Sequence, residues 1–238
     1  MNEVVPMTER HLPLIAIPAH NEEKHIARTI VLVRETHLNA KLVVVDDGST
    51  DKTAAIAKAM GCEVIHMPRN VGKANAFLAA AKYASRSHAA AFMTLDADMT
   101  RVPTQDLELM LRLATNASQK RKEIMVIGNV FEGKDKTNMP QLSGIRSFSM
   151  PVIHRLVSSR SKGVPKGYGL ELFLSDFCHF TKVLTLPTKF EAEEAGRKGL
   201  HRQLKEIRHM DRILSDLHKR PKNRASKKML REKRRMPK

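Results

Sequence analysis

The sequence predicts an α/β fold in which helices flank a mostly parallel sheet. Two observations support this prediction: short apolar runs alternate with helix-patterned stretches through the first half, and polar clusters follow four of these runs. A length of 238 residues with 42% apolar residues is enough for one domain with a sizeable core and an appendage. We therefore expect βαβ units in the first half.

Five apolar runs, several of them rich in β-branched residues, have the length and composition of buried strands. In chain order they are LIAIPA (14–19), KLVVVDD (41–47), CEVIHM (62–67), AAFMTLD (90–96) and EIMVIGNV (123–130). Four stretches between them place apolar residues three or four positions apart, which is typical of helices with one buried face. These predicted helices are 21–36, 51–60, 72–84 and 103–115.

The second half of the chain is patterned less clearly. The polar segment EGKDKTNMPQ (132–141) is typical of a mobile loop at a binding site. SGIRSFSMPVIHRLVSS and KGYGLELFLSDF follow it, and KVLTLPT (182–188) has the composition of a strand. We expect one domain over 12–195, divided at residue 100 into two halves.

The positive charge of the chain is concentrated in its last part. Residues 196–238 hold seventeen Lys and Arg but four Asp and Glu, so they carry +13 of the net charge of +17. Nucleic acid, a membrane surface and an acidic protein all qualify as the anionic partner of such a tail. Charge alone does not choose among them.

A helix is predicted over about 197–218, because apolar residues form one stripe on an otherwise charged surface. The stripe contains Leu200, Leu204, Ile207, Met210, Leu214 and Leu217. Residues beyond Pro221 have few apolar side chains and are predicted to be disordered. Residues 197–235 would then lie on an anionic leaflet. The alternatives are packing of the stripe against the domain or in a homo-oligomer.

No apolar run reaches the length of about 18 residues that a membrane-spanning helix needs. The first residues lack the pattern of a secretory signal. We therefore expect a cytoplasmic protein, with peripheral contact to the inner face of the cell membrane through the tail. Cys62 and Cys178 lack metal-site or redox spacing, and both are interpreted as core residues.

The polar clusters after the first three strands are candidates for one site, because ligands of α/β sheets bind at the carboxyl ends of strands. PAHNEE (18–23) would hold a nucleotide, or Asn21 would cap the next helix. In VVVDDGSTD (43–51) a carboxylate would accept hydrogen bonds from a base or ribose, or the acids would cap a helix. Lys73 in RNVGKANA (69–76) would lie near a phosphate or sugar, or be solvated at a helix start. That segment does not satisfy the Walker A pattern.

The fourth cluster, LDADM, contains two acids separated by one alanine. In an extended chain Asp96 and Asp98 project to the same side and Ala97 points away. Two such carboxylates suit Mg²⁺ or Mn²⁺, which complete their shells with water and diphosphate oxygens. The pair is therefore predicted to bind a metal that carries a diphosphate.

In this order, the four clusters resemble the family 2 glycosyltransferases of GT-A fold, over about residues 12–100. The resemblance implies a metal-dependent, inverting transfer from a nucleoside-diphosphate sugar, with Asp96 and Asp98 as metal ligands and Asp98 catalytic. It places Asp96 and Ala97 at the ribose and diphosphate. The residues implied at the nucleoside side are Pro18, Ala19, His20, Glu22, Asp46, Asp47 and Lys73.

The distal half is similar to dolichyl- or polyprenyl-phosphate sugar transferases and their small relatives, through SGIRSFS (143–149) and GYGLELFL (167–174). This resemblance implies that Arg146 binds a phosphate and that Glu171 approaches the acceptor. Arg146 would otherwise be a surface arginine at a helix start, and Glu171 would cap or solvate a helix. Glu171 or Glu132 would be the base for a hydroxyl acceptor, whereas a polyprenyl phosphate needs none.

Two other classes compete with a glycosyltransferase. The basic tail suits a nucleic-acid-binding protein, but two Tyr, eight Phe and no Trp give little support for base stacking. A sugar-nucleotide pyrophosphorylase would also be α/β and metal-dependent, but we expect a glycine-rich loop near the start of that class. PAHNEE occupies that place in this chain.

Overall fold

The structure is a computed structural model that describes residues 11–132, 144–159, 170, 174 and 181–192. These residues belong to the first of the two compact units of the chain, Met1–Glu194. The basic tail, Glu171, Cys178 and most of the predicted loop at 132–141 lie outside the described residues.

Helices and strands alternate through the first half, as the apolar periodicity predicts. The described elements are β1 (Leu14–Ala19), α1 (Ile26–Glu35), β2 (Lys41–Asp46), α2 (Thr53–Ala59), β3 (Glu63–His66), α3 (Lys73–Arg86), β4 (Ala91–Thr94), β5 (Met99–Arg101), α4 (Thr104–Gln119), β6 (Ile124–Glu132), β7 (Arg146–Ser149), α5 (Met150–Ser159) and β8 (Lys182–Ala192).

The described strands form one mixed sheet in the order β3-β2-β1-β4-β7-β6-β8-β5. The first four are parallel, β7 runs antiparallel between β4 and β6, and β6 pairs with β8 in parallel. The chain moves outward from β1 to β3 and then returns to place β4 on the other side of β1. This reversal creates a crevice between the carboxyl ends of β1 and β4, where ligands bind in open α/β sheets.

Helices cover both faces of the sheet, because alternate strand residues point to opposite sides. One core packs α3 and α5 against the sheet, and the other packs α1, α2 and α4 against the opposite face. In the first core, Phe77 makes edge contacts with Phe92 and Phe148 at centroid distances of 5.4 Å. The mostly parallel α/β fold predicted from the sequence is confirmed.

Two boundaries differ from the sequence prediction in ways that affect the site. Helix α1 begins at Ile26, with His25 as its N-cap, and not at residue 21, where Asn21 adopts a left-handed φ of 57°. The interpretation of Asn21 as the helix cap is therefore wrong. Strand β4 ends at Thr94, so the acids of LDADM lie beyond the strand, with Ala97 and Asp98 in a turn.

Other expectations at the level of the fold are met within the described residues. Cys62 is a buried free thiol, as its interpretation as a core residue predicts. KVLTLPT lies in β8, which extends four residues further than predicted. None of the described helices combines the length and apolar character that crossing a bilayer requires.

Gly48, the glycine of the second cluster, packs closely against the backbone of Arg69 and Asn70. A substitution at this position tests that close approach. Both Gly48 and Gly61 have positive φ, at 65° and 71°, but a β-carbon at Gly48 would lie 2.3 Å from the carbonyl carbon of Arg69. The nearest atom at Gly61 would be 3.9 Å away. We expect Gly61→Ala to cost about 1–2 kcal/mol of unfolding free energy from backbone strain, and Gly48→Ala to cost more than about 3 kcal/mol. Urea unfolding measures both, and equal losses would contradict the close approach.

Candidate functional site

Direct hydrogen bonds join the first two polar clusters at the carboxyl ends of β1 and β2. The Asn21 N–H donates to Ser49 Oγ at 3.0 Å, and Asn21 Oδ1 accepts from the Thr50 N–H at 2.8 Å. The Glu22 N–H donates to Thr53 Oγ1 at 2.8 Å. PAHNEE and the segment after β2 therefore form one loop assembly, and Asn21 is a linking residue in it.

The two acids at the carboxyl end of β2, Asp46 in the strand and Asp47 after it, are both buried and accept backbone N–H groups. The Asp47 carboxylate accepts the Val71 and Gly72 N–H groups, one on each oxygen and each at 2.9 Å. This contact fixes the third cluster against the second. The Asp47 carbonyl oxygen lies 2.9 Å from Nδ1 of His20, which ties the first cluster to the same residue.

Asp46 is fully buried on the other side of this strand end. Its Oδ1 accepts the Ser49 N–H at 3.1 Å. His66 Nδ1 lies 2.6 Å from Oδ2, but the direction of this contact is not that of a hydrogen bond. Among the described residues, none donates a hydrogen bond to Oδ2. Asp46 thus stabilises the turn after β2.

Lys73 and Gly144 converge on Asp96. Lys73 is the first residue of α3, and its Nζ lies 2.5 Å from Asp96 Oδ1. Lys73 is therefore ion-paired, and the interpretation of it as a lysine that contacts only solvent does not hold. A β-carbon at Gly144 would lie 2.0 Å from the same carboxylate oxygen, so the distal half of the chain packs directly on Asp96.

Asp98 is surrounded by other carboxylates. Burial, the Asp96 carboxylate and the Glu22 carboxylate together raise the pKa of Asp98 to about 7, while Lys73 acts in the opposite direction. Glu22 also contacts His25 Nδ1 at 2.8 Å through Oε2. The structure therefore brings together Glu22 from the first cluster, Lys73 from the third and both acids from the fourth.

The turn that carries Asp98 is held by helix α1. Thr29 Oγ1 donates to the Ala97 carbonyl at 2.7 Å, and Arg28 Nε donates to the Met99 carbonyl at 2.9 Å. Sequence reasoning missed both residues. The available signal was a threonine on the helix face that also contains Ile26, Ile30 and Val33.

Arg146 lies in β7 and is 2% exposed. It pairs in register with Thr94, two residues before Asp96, which places it at the same end of β4 as the acids. The interpretation of Arg146 as a surface arginine at a helix start is wrong, because α5 begins only at Met150. A buried guanidinium beside a strand end is suited to a bidentate anion contact.

The remaining predicted residues are distributed as follows. Pro18 and Ala19 end β1, and Ala97 is buried in the turn between the two acids. Glu132 ends β6, where its backbone is in register with Ala192. Glu171 lies outside the described residues, so its predicted role stays a prediction.

A comparison with protein families shows which family the chain belongs to. The sequence profile described as glycosyl transferase family 2 matches residues 14–181, which is more than half of the chain. The chain belongs to this family. The matched range contains the four clusters, Arg146 and the first seven strands, so the family assignment covers the whole candidate site.

This family 2 member is similar to two kinds of curated relative over part of their length. It is 34% identical over 145 residues to an uncharacterized protein of Methanocaldococcus jannaschii, covering 60% of this chain and 57% of that protein. It is 29% identical over 102 residues to 4,4'-diaponeurosporenoate glycosyltransferase of Staphylococcus aureus, covering 41% of this chain and 26% of the relative. The chain thus spans little more than half of the first relative and about a quarter of the second.

Solved structures share the fold at low sequence identity. Glucosyl-3-phosphoglycerate synthase from Mycobacterium tuberculosis, in complex with Mn²⁺, UDP-glucose and phosphoglyceric acid, gives a TM-score of 0.61 at 18% identity, over 80% of this chain and 75% of that one. TarS of S. aureus gives 0.58 at 15% identity, over 76% of this chain and 60% of the other. The GT-A fold implied by the sequence is confirmed.

The acid cluster fits a divalent metal that is shared with a ligand. Across the part of the chain that the structure describes, no set of three or more His, Cys, Asp or Glu side chains is arranged to hold a metal by protein ligands alone. Asp96 and Asp98 offer hard oxygen ligands. Burial and then the neighbouring carboxylates raise the pKa of Asp98, and a dication would offset both effects on the ionised form. Two carboxylates with diphosphate and water are a typical Mg²⁺ or Mn²⁺ environment.

The Asp98 charge predicts a pH-dependent stability. Its folded-state pKa of about 7 lies above the ordinary value of 3.8. The folded protein therefore binds more protons than the unfolded chain between these values, so the unfolding free energy falls as pH rises through that window. In EDTA, we expect the stability advantage of Asp98→Asn over wild type to be larger at pH 8 than at pH 5 by on the order of 2 kcal/mol, because wild type continues to lose stability up to pH 7 whereas the Asn side chain does not titrate.

Urea unfolding at pH 5 and pH 8 measures this difference. The control is Glu108→Gln, which removes an exposed negative charge from α4. A stability gain from Asp98→Asn that is the same at both pH values would contradict the proposed charge cluster.

Proposed function

We propose that this protein transfers a sugar from a nucleoside-diphosphate sugar to an acceptor, with a divalent metal bound at Asp96 and Asp98. The observation that carries this proposal is the acid cluster at the switch point between β1 and β4, where burial and two further carboxylates raise the pKa of Asp98 to about 7. A diphosphate is anionic and needs cations at such a place. The family membership supports the same reaction class.

The nucleoside would bind over the carboxyl ends of β1 and β2. Pro18, Ala19 and His20 would provide one wall, and the loop joined by Asp46 and Asp47 would provide the other. Asp47 already accepts two backbone N–H groups, yet each carboxylate oxygen retains a lone pair for a base N–H or a ribose hydroxyl. Glu22 would contribute at the ribose side, near Asp98.

The diphosphate would lie between Asp98, Lys73 and the end of β4. When bound, Mg²⁺ or Mn²⁺ supplies charge compensation for the departing nucleoside diphosphate. Asp96 and Asp98 would hold this ion, while the Lys73 ammonium places a further positive charge beside Asp96. Solved complexes of the Mycobacterium tuberculosis synthase contain Mn²⁺ with UDP or UDP-glucose, which supports this assignment by similarity of fold.

The acceptor would approach from the distal half and attack the anomeric carbon from the opposite face, giving inversion. Arg146, buried beside the end of β4, would bind a phosphate of the acceptor or donor through paired hydrogen bonds. For a hydroxyl acceptor, Glu171 or Glu132 would accept the proton. A polyprenyl phosphate is already anionic and requires no base.

A lipid-linked acceptor, either a polyprenyl phosphate or a cell-envelope glycan precursor, is favoured by the charge of residues 196–238. Each Lys or Arg near an anionic leaflet adds about 1 kcal/mol of attraction. This tail would bring the site to the inner face of the membrane. Binding of nucleic acid is the competing use of the same charge, whereas a pyrophosphorylase is disfavoured by the family match.

The metal assignment predicts a specific binding defect. We expect wild type to bind a nucleoside diphosphate only with Mn²⁺ or Mg²⁺, and Asp98→Asn to weaken this binding at least about tenfold, or about 1.4 kcal/mol, because one of the two metal ligands is lost. Calorimetry with UDP, GDP and dTDP measures the affinity and identifies the base. Glu108→Gln serves as the control of equal charge change. Metal-independent binding that Asp98→Asn leaves unchanged would defeat the assignment.

The membrane proposal predicts sedimentation with anionic vesicles. We expect the full chain to sediment with phosphatidylglycerol vesicles but not with phosphatidylcholine vesicles, because the attraction is electrostatic and each basic residue contributes about 1 kcal/mol. Replacing the Lys and Arg residues between 219 and 235 by Gln should reduce this sedimentation. Equal sedimentation of that variant would argue against the tail as the membrane contact, and preferential binding to RNA would favour the nucleic-acid alternative.

A further inference from the structure

Two adjacent residues of α1 hold the turn that carries Asp98, and neither belongs to the predicted binding motifs. We propose that Thr29 and Arg28 are positioning residues, which fix this turn in the geometry that binds the metal and diphosphate. The inference rests on the proposed function. It adds helix α1 to the parts of the chain on which donor binding depends.

The Thr29 hydroxyl bridges the two sides of Asp98. Oγ1 donates to the Ala97 carbonyl at 2.7 Å and accepts the Met99 N–H at 3.1 Å. Thr29 is fully buried, so these bonds are made where water does not compete for them. A hydroxyl has the donor and acceptor capacity for both contacts at once.

Arg28 holds the outer side of the same turn. Its Nε donates to the Met99 carbonyl at 2.9 Å, and its Nη2 approaches the Asp98 carbonyl at 3.4 Å. Side chains of α1 therefore bind the carbonyls of three successive residues, 97 to 99. The contacts use backbone atoms and leave the Asp98 carboxylate available to a ligand.

The electrostatics explain why such a clamp is needed. Asp98 is repelled by the carboxylates of Asp96 and Glu22. A turn without fixed contacts would relieve this repulsion by moving Asp98 away from Asp96, and the pair would no longer match one metal ion. Helix α1 resists that movement because Ile26, Ile30 and Val33 anchor it in the core.

The experiment compares isosteric and conservative variants of the full chain. Thr29→Val keeps the shape and removes both hydrogen bonds, whereas Thr29→Ser keeps the hydroxyl. The matched control is Thr36→Val: Thr36 is also buried, lies at the other end of α1, and donates to the Val33 carbonyl at 2.6 Å. Arg28→Lys tests the second contact without changing the charge.

The readouts are Mn²⁺ binding by electron paramagnetic resonance, with UDP, GDP or dTDP present, and hydrogen exchange of the segment 95–101. We expect Thr29→Val to weaken Mn²⁺–nucleotide binding about tenfold and to speed exchange in this segment, because the buried groups of the turn lose their partner. Thr29→Ser should stay within about twofold of wild type, and Arg28→Lys should weaken binding about threefold. Thr36→Val should leave both readouts unchanged while lowering thermal stability.

Different outcomes overturn different statements. Wild-type affinity in folded Thr29→Val, or an equal loss of affinity in Thr36→Val, would overturn the positioning role while leaving the proposed function intact. If Thr29→Val does not fold, wild-type affinity and exchange in Arg28→Lys would overturn it. No Mn²⁺-dependent binding of any of the three nucleotides by wild type would overturn the proposed function, and this inference with it.

Discussion

The site depends on the concentration of like charge at one edge of the sheet. Burial and the neighbouring carboxylates of Asp96 and Glu22 raise the pKa of Asp98 to about 7, although Lys73 is ion-paired with Asp96. Such an arrangement lowers the free energy of unfolding. It is typical of functional sites, where a bound ligand compensates the repulsion. Lys73 contributes one positive charge to the site. A bound metal would contribute two, and the diphosphate would carry negative charge that balances them.

Hydrogen bonds between loops keep this charge in place. Asp47 holds the backbone of Val71 and Gly72, which precede Lys73 at the start of α3. Asn21 binds the segment after β2, and Thr29 binds the turn after β4. Because Lys73 also pairs with Asp96, each of the four clusters is attached to another one, and the site is a network of joined loops.

The first half of the fold could be predicted because its signal is local. The apolar run at 14–19 has the same bounds as β1, and the other runs differ from their strands by a few residues. The same side-chain alternation suggested a common side for Asp96 and Asp98, but β4 ends at Thr94 and the approach of the acids comes from a turn held by Thr29. Contacts such as Thr29 to Ala97 join residues far apart in sequence, and periodicity carries no information about them.

The distal half contributes through close packing that the sequence pattern does not reveal. Gly144 lies against the Asp96 carboxylate, and Arg146, the first residue of β7, is buried beside Thr94. Since β7 runs antiparallel to β4, its first residues meet the last residues of β4, which is the edge where the acids lie. The antiparallel strand in an otherwise parallel region therefore has a direct consequence: it brings a buried guanidinium from the second half to the charge cluster formed by the first.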